Sequence, residues 1–144
     1  MSEKRALRLA DFTPYRIVAL GRRLSEELGA AYRNEGVTIP EWRVLAAIAQ
    51  APVIAARDVA LVTPMDKMAV SRAVLSLEAK KLIERERTDD RRVSSLRLTD
   101  EGEIVYQRIA AIALRYEEQL LERLSPPDRR AFLEGLGALE THPS

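Results

Sequence analysis

The chain has 144 residues, enough for one domain, and its 47% hydrophobic and 31% charged residues exclude an intrinsically disordered protein. It has no cysteine and one histidine, His142, close to the C-terminus. This excludes disulfides, thiolate catalysis, zinc–thiolate sites and a serine–histidine–acid triad in the body of the domain. No apolar run is long enough for a transmembrane helix, and the charged start Met1-Ser2-Glu3-Lys4-Arg5 leads into no signal core, so a soluble, cytoplasmic protein with no membrane partner is expected.

The net charge of +1 is unevenly spread. From Arg57 to Arg97 there are ten Lys/Arg against seven Asp/Glu, a segment at +3, and the remainder stands at −2. A basic middle in a near-neutral chain suits a local anion-binding surface, although a difference of this size is also common without one.

In chain order, a first helix is predicted from Pro14 to Asn34, with Thr13 as N-cap and Pro14 in the first helical position. Ile17, Leu20, Leu24, Leu28 and Ala31 share one face, and Gly36 is a natural stop. Thr38-Ile39-Pro40-Glu41 has the T-x-x-E form of a capping box and opens a second helix to Gln50, with Trp42, Leu45, Ala46 and Ile48 available for the core. A short third helix spans Ala55 to Val62, Val59 and Val62 facing inward. After the turn Thr63-Pro64-Met65-Asp66, either Thr63 or Asp66 caps a fourth helix that runs to Lys80 on a buried stripe of Val70, Ala73, Val74 and Leu77.

Ile83–Arg87 and Ser94–Leu98 then read as the arms of a small hairpin with a charged tip, Thr88 to Val93, though the first arm has poor strand propensity. Thr99-Asp100-Glu101 restarts a long helix to Leu124, its acids placed where the macrodipole favours them. Val105, Ile109, Ile112, Tyr116 and Leu120 form its main stripe, broadened by Leu114, Leu121 and Leu124. Ser125-Pro126-Pro127-Asp128 caps a last helix with Phe132, Leu133, Leu136 and Leu139 facing in.

The fold class is therefore mostly α with a small β-hairpin wing, a winged helix-turn-helix. Such a fold offers double-stranded DNA a polar helix face whose opposite side anchors in a small core. On the fourth helix the outward face is Met65, Met68, Ala69, Arg72 and Ser76, flanked by Lys67 and Ser71. Arg72 suits a guanine edge or a phosphate, Ser71 and Ser76 suit phosphate oxygens, and Met68 and Ala69 suit a thymine methyl. At the hairpin tip, Arg91 or Arg92 suits a narrow minor groove, with Asp90 or Asp89 holding a guanidinium. The same charges would serve equally as a surface ion-pair cluster.

Three stretches carry a family resemblance: Ile39-Pro40-Glu41-Trp42-Arg43-Val44-Leu45, Leu77-Glu78-Ala79-Lys80-Lys81-Leu82-Ile83-Glu84-Arg85, and Asp90-Arg91-Arg92 running on to Leu98-Thr99-Asp100-Glu101-Gly102. Their order, from about Phe12 to Leu139, resembles the MarR family of bacterial transcription regulators. The resemblance implies a two-fold homodimer reading a palindromic operator. Residues 1–36 would be an N-terminal dimerisation helix, 37–98 the winged helix-turn-helix and 99–144 the C-terminal dimerisation helices, in one intertwined domain. Ile17, Leu20, Ile109, Ile112, Tyr116, Leu120, Phe132 and Leu136 are the expected dimer contacts. Lys67, Ser71 and Arg72 match recognition-helix positions, Arg91 or Arg92 the wing arginine and Asp90 its brace.

One departure is Lys81, where the family usually has glycine. A left-handed cap there costs lysine about 1 kcal/mol or more, leaving the helix end open to a different geometry. The long helix, apolar on more than one face, points to a dimer independently. Regulators of this kind commonly release DNA when a small aromatic acid or phenolic effector binds, and Tyr15, Arg16, Arg22, Trp42 and Arg43 are the candidate pocket residues. The absence of cysteine speaks against a peroxide-sensing thiol. The sequence offers no nucleophile–base pair, metal cluster or phosphate-cradling glycine loop, so no enzyme and no cofactor is expected. The alternative is a winged-helix interaction module that no longer reads DNA.

Overall fold

The computed structural model describes residues 6–51, 54–87, 94–141 and 143. After a 3₁₀ turn at Leu9–Asp11 come helices α1 (Thr13–Ala31) and α2 (Ile39–Ala49), strand β1 (Ile54–Ala55) and helices α3 (Ala56–Val62) and α4 (Lys67–Ala79). Strands β2 (Ile83–Arg87) and β3 (Ser94–Leu98) and helices α5 (Asp100–Glu122) and α6 (Pro126–Glu140) complete the chain. It divides within α5 into two compact units, Met1–Ile109 and Ala110–Ser144.

Helix α1 stops three residues short of the expected end. A 3₁₀ turn over Arg33–Glu35 follows, and Gly36 takes a left-handed φ of 73° that redirects the chain into α2. Thr13 is the first helical residue rather than the cap; Phe12 holds the cap position without a side-chain bond. At α2 the capping box forms in full, with Thr38 Oγ1 accepting from the Glu41 N–H at 3.3 Å and Glu41 Oε1 accepting from the Thr38 N–H at 2.9 Å.

The core of the first unit joins Val44, Leu45 and Ile48 of α2 to Val59 of α3, Val70, Val74 and Leu77 of α4, Leu82, Ile83, Leu96 and the first half of α5 through Ile109. Val62 departs from expectation and is 65% exposed. Helix α3 ends at this residue, so Val62 lines an outer groove instead of the core.

The sheet is antiparallel in the order β1-β3-β2. The third strand, β1, has only two residues and carries no alternation from which it could be predicted. The poor strand formers of β2 are held by register. Glu84 pairs with Arg97, whose Nε lies 2.7 Å from Glu84 Oε1 and whose Nη1 lies 2.6 Å from Glu86 Oε1. Cross-strand opposite charges of this kind each contribute roughly 0.2–1 kcal/mol.

In the second unit, Ser125 caps α6 by accepting from the Asp128 N–H at 3.3 Å. Phe132, Leu133, Leu136 and Leu139, expected to face in, are all exposed.

Candidate nucleic-acid interface

Asp66, not Thr63, caps α4: its Oδ1 accepts from the Ala69 N–H at 2.8 Å, while the Thr63 hydroxyl donates to the Val59 carbonyl at 3.0 Å. From this start Val70, Ala73, Val74 and Leu77 turn into the core as the spacing predicts. The opposite side carries Lys67, Ser71 and Arg72, all exposed, and Met68, 71% exposed, with Met65 and Ala69 half-buried beside them. Leu75 was missed as a surface residue; it is 60% exposed, on the face shared with Met68 and Arg72. Lys67, Met68, Ser71 and Arg72 are thus exposed together on α4, whereas Met65, Ala69 and Ser76 are half-buried.

Ser76 is half-buried, and its hydroxyl donates to Glu41 Oε2 at 2.8 Å, so it is a packing contact rather than an outward hydroxyl. Glu41 is 3% exposed. Besides Ser76 and the Thr38 N–H, it accepts from Lys80 Nζ at 2.8 Å; the same ammonium donates to the Gly36 carbonyl at 2.8 Å. Burial alone would raise the carboxyl pKa. The bonds from Lys80, the Thr38 backbone and Ser76 outweigh it and hold the group down at about 2. Sequence reasoning found Glu41 through its capping box, but that signal is local and says nothing of α4.

The end of α4 also differs from what a lysine suggests. Lys81 keeps the left-handed conformation, φ 60°, the only positive φ outside glycine among the described residues. The Lys81 N–H donates to Glu78 O at 2.9 Å and the Leu82 N–H to Leu77 O at 3.0 Å, the paired bonds of a Schellman cap. The Lys81 carbonyl then accepts from the Thr99 hydroxyl at 2.7 Å, and the Leu82 carbonyl from the Thr99 N–H at 3.0 Å, tying the cap to the start of α5. Lys81→Gly is expected to stabilise the protein by about 1 kcal/mol, read as a higher melting temperature at unchanged secondary structure.

The strands of the wing are in place, but Arg91, Arg92 and Asp90 lie outside the described residues. Of the candidate effector residues, Trp42 and Arg43 border a groove of about 470 Å³ with Ala46, Ala47, Ile54 and Val62. Trp42 stacks on Tyr106, ring centroids 5.8 Å apart, and tilts against Tyr32 at 6.0 Å. Gln50 Nε2 donates to the Tyr106 hydroxyl at 3.0 Å, and Arg43 Nη2 donates to Ser25 Oγ at 2.8 Å. Tyr15, Arg16 and Arg22 are exposed on α1 and do not line this groove.

Residues 35–92, which hold α2 to the wing, match the family model described as MarR family. The HTH-type transcriptional repressor Rv2887 of Mycobacterium tuberculosis is 29% identical over 140 residues, covering 90% of this chain and 98% of that one. Over these residues the chain resembles the MarR family, and over most of its length it is similar to this repressor. Among solved MarR-type structures, the transcriptional repressor CouR bound to a 23-mer DNA duplex is 25% identical, with a TM-score of 0.81 over 97% of this chain and 100% of that one. Rv2887 in complex with p-aminosalicylic acid is 25% identical, with a TM-score of 0.73 over 89% of this chain and 98% of that one. The mostly helical architecture with its small antiparallel wing is the winged-helix fold of these MarR proteins.

Proposed function

We propose that this chain is a MarR-family transcriptional repressor that reads a palindromic operator as a homodimer, with α4 in the major groove. The observation that carries the reading is the division of α4. One side is anchored by Val70, Ala73, Val74 and Leu77, and the other leaves Lys67, Met68, Ser71 and Arg72 exposed. Arg72 is the base-reading or phosphate-binding group, Lys67 and Ser71 bind phosphate, and Met68 and Ala69 meet thymine methyls. Arg91 and Arg92 complete the interface from the wing, with Asp90 as brace. The similar repressor CouR, held on duplex DNA, supports DNA binding by this fold.

A partner copy accounts for apolar surface that one chain leaves uncovered: Ile17, Val18 and Leu20 on α1, and Phe132, Leu133, Leu136 and Leu139 on α6. Ile109, buried within its own unit, is assigned to that core rather than to the dimer contact; Ile112, Tyr116 and Leu120 stay in the proposed interface. The interaction-module alternative drew on the lysine at position 81. The left-handed cap is kept there, so that departure no longer favours it.

Selection from a random DNA pool is expected to return an inverted repeat with half-sites about 10 bp apart, centre to centre. Arg72→Ala is expected to weaken operator binding by roughly 1–3 kcal/mol per half-site and relax the choice of base there. Lys67→Ala is expected to weaken all sequences alike and lower the log–log salt slope by about 0.9 for each phosphate no longer neutralised. A wild-type protein that shows no preference for any sequence at low salt sinks the proposal. For the effector, an aromatic acid would stack near Trp42 and engage Arg43. Displacement from the operator by p-aminosalicylate, reduced in Arg43→Ala, is the expected result, and no displacement by any aromatic acid removes this part.

A further inference from the structure

We infer that Glu41 is a positioning residue that sets the rotation of the recognition helix α4, through the Ser76 hydroxyl and the Lys80 ammonium bound to its buried carboxylate. The inference rests on the DNA-reading function proposed above.

Met68, Arg72, Ser76 and Lys80 succeed one another at intervals of four residues and so lie along one ridge of the helix. The two halves of that ridge do different things. Met68 and Arg72 are exposed, whereas Ser76 and Lys80 both reach Glu41 at 2.8 Å. The carboxylate is itself fixed at the first turn of α2, where Oε1 also accepts from the Thr38 N–H at 2.9 Å. A carboxylate accepting three bonds from two helices leaves little rotational play. If α4 rolled about its axis, the Ser76 bond would break and Arg72 would swing out of line together, because both sit on the same ridge. The apolar stripe Val70, Ala73, Val74 and Leu77 fixes which side of α4 is buried, but apolar contacts are non-directional. The directional bonds to Glu41 supply the register.

The test compares wild-type protein with Glu41→Gln, Ser76→Ala, the double variant and Ser76→Thr. Binding is measured to a selected operator and to random duplex, well below the lowest melting temperature. Operator affinity is expected to fall about tenfold in Glu41→Gln and in Ser76→Ala, with random-duplex affinity and its salt slope unchanged. The double variant is expected to be no weaker than the weaker single one, and Ser76→Thr, which keeps a hydroxyl, to bind the operator as wild type does. Should Glu41→Gln fail to fold, Ser76→Ala, which removes one oxygen and leaves the ion pair, carries the same expectation. Operator preference retained in both single variants at a lowered melting temperature would make Glu41 a stabilising residue only and overturn the inference alone. A parallel loss on operator and random duplex with a smaller salt slope would make Ser76 a phosphate-binding group and also overturn it. Absence of preference in the wild type would overturn the DNA-reading proposal and this inference together.

Discussion

Gly102→Ala is expected to destabilise the protein by about 3 kcal/mol, the upper end of the usual overpacking range, and to lower its melting temperature by roughly 10 °C. An alanine Cβ at this position would stand 1.9 Å from the Leu82 carbonyl oxygen and 2.9 Å from its carbonyl carbon. Both are backbone atoms, held from two sides. The Leu82 N–H closes the cap of α4 on Leu77, and the Leu82 carbonyl accepts from Thr99. Neither helix can retreat without giving up its own terminal bonds, so the strain has no flexible side chain to relax into. The Gly102 N–H also donates to Thr99 Oγ1 at 3.0 Å, which locks the first turn of α5 onto the same loop. The Leu-Thr-x-x-Gly spacing is thus explained: threonine ties the loop, and glycine three residues on lets the helix cross it. Thermal or urea unfolding measures the effect, and a melting temperature equal to that of wild type would contradict the close approach.

Glu41→Gln is the second large effect, expected to remove about 3 kcal/mol at neutral pH. The folded carboxyl titrates at about 2 against an ordinary value of 4.5, and a depressed acid stabilises the fold where it is ionised. Its contribution is complete above about pH 4.5 and is lost as the pH falls from there toward 2. Glutamine keeps the size and one acceptor for the Thr38 N–H but gives up the charge facing Lys80. Stability–pH curves of the two proteins are therefore expected to lie apart at pH 7 and converge between pH 4.5 and 2. A constant gap across that range would show that the ionised carboxylate is not what holds the helices.

Much of this molecule is legible from residue spacing. The stripe Val70, Ala73, Val74 and Leu77 predicts which side of α4 is buried, and its complement predicts that Lys67, Met68, Ser71 and Arg72 are exposed. The T-x-x-E box places the start of α2, and Thr99 with its two following acids places the start of α5 to within a residue. These signals are legible because they act over one or two helical turns, where chain neighbours are also space neighbours.

Where spacing misleads, the deciding partner is distant in sequence. Ser76 lies toward the outer side by periodicity, yet it turns to a carboxylate 35 positions earlier. Strand β1 exists because β3 offers it a ladder, not because its two residues alternate. Val62 falls on the inward spacing but at the last turn of a seven-residue helix, and it is left exposed there.

Local sequence thus determined the helices, the caps of α2 and α6, the buried side of α4 and the kind of chemistry its other side presents, because periodicity and capping need only near neighbours. Tertiary structure alone decided that Lys81 is left-handed, that position 102 admits no side chain, and that Glu41 joins the starting turn of one helix to the end of another. Each of those depends on two segments meeting in space, and which segments meet is a property of the whole core rather than of any stretch within it.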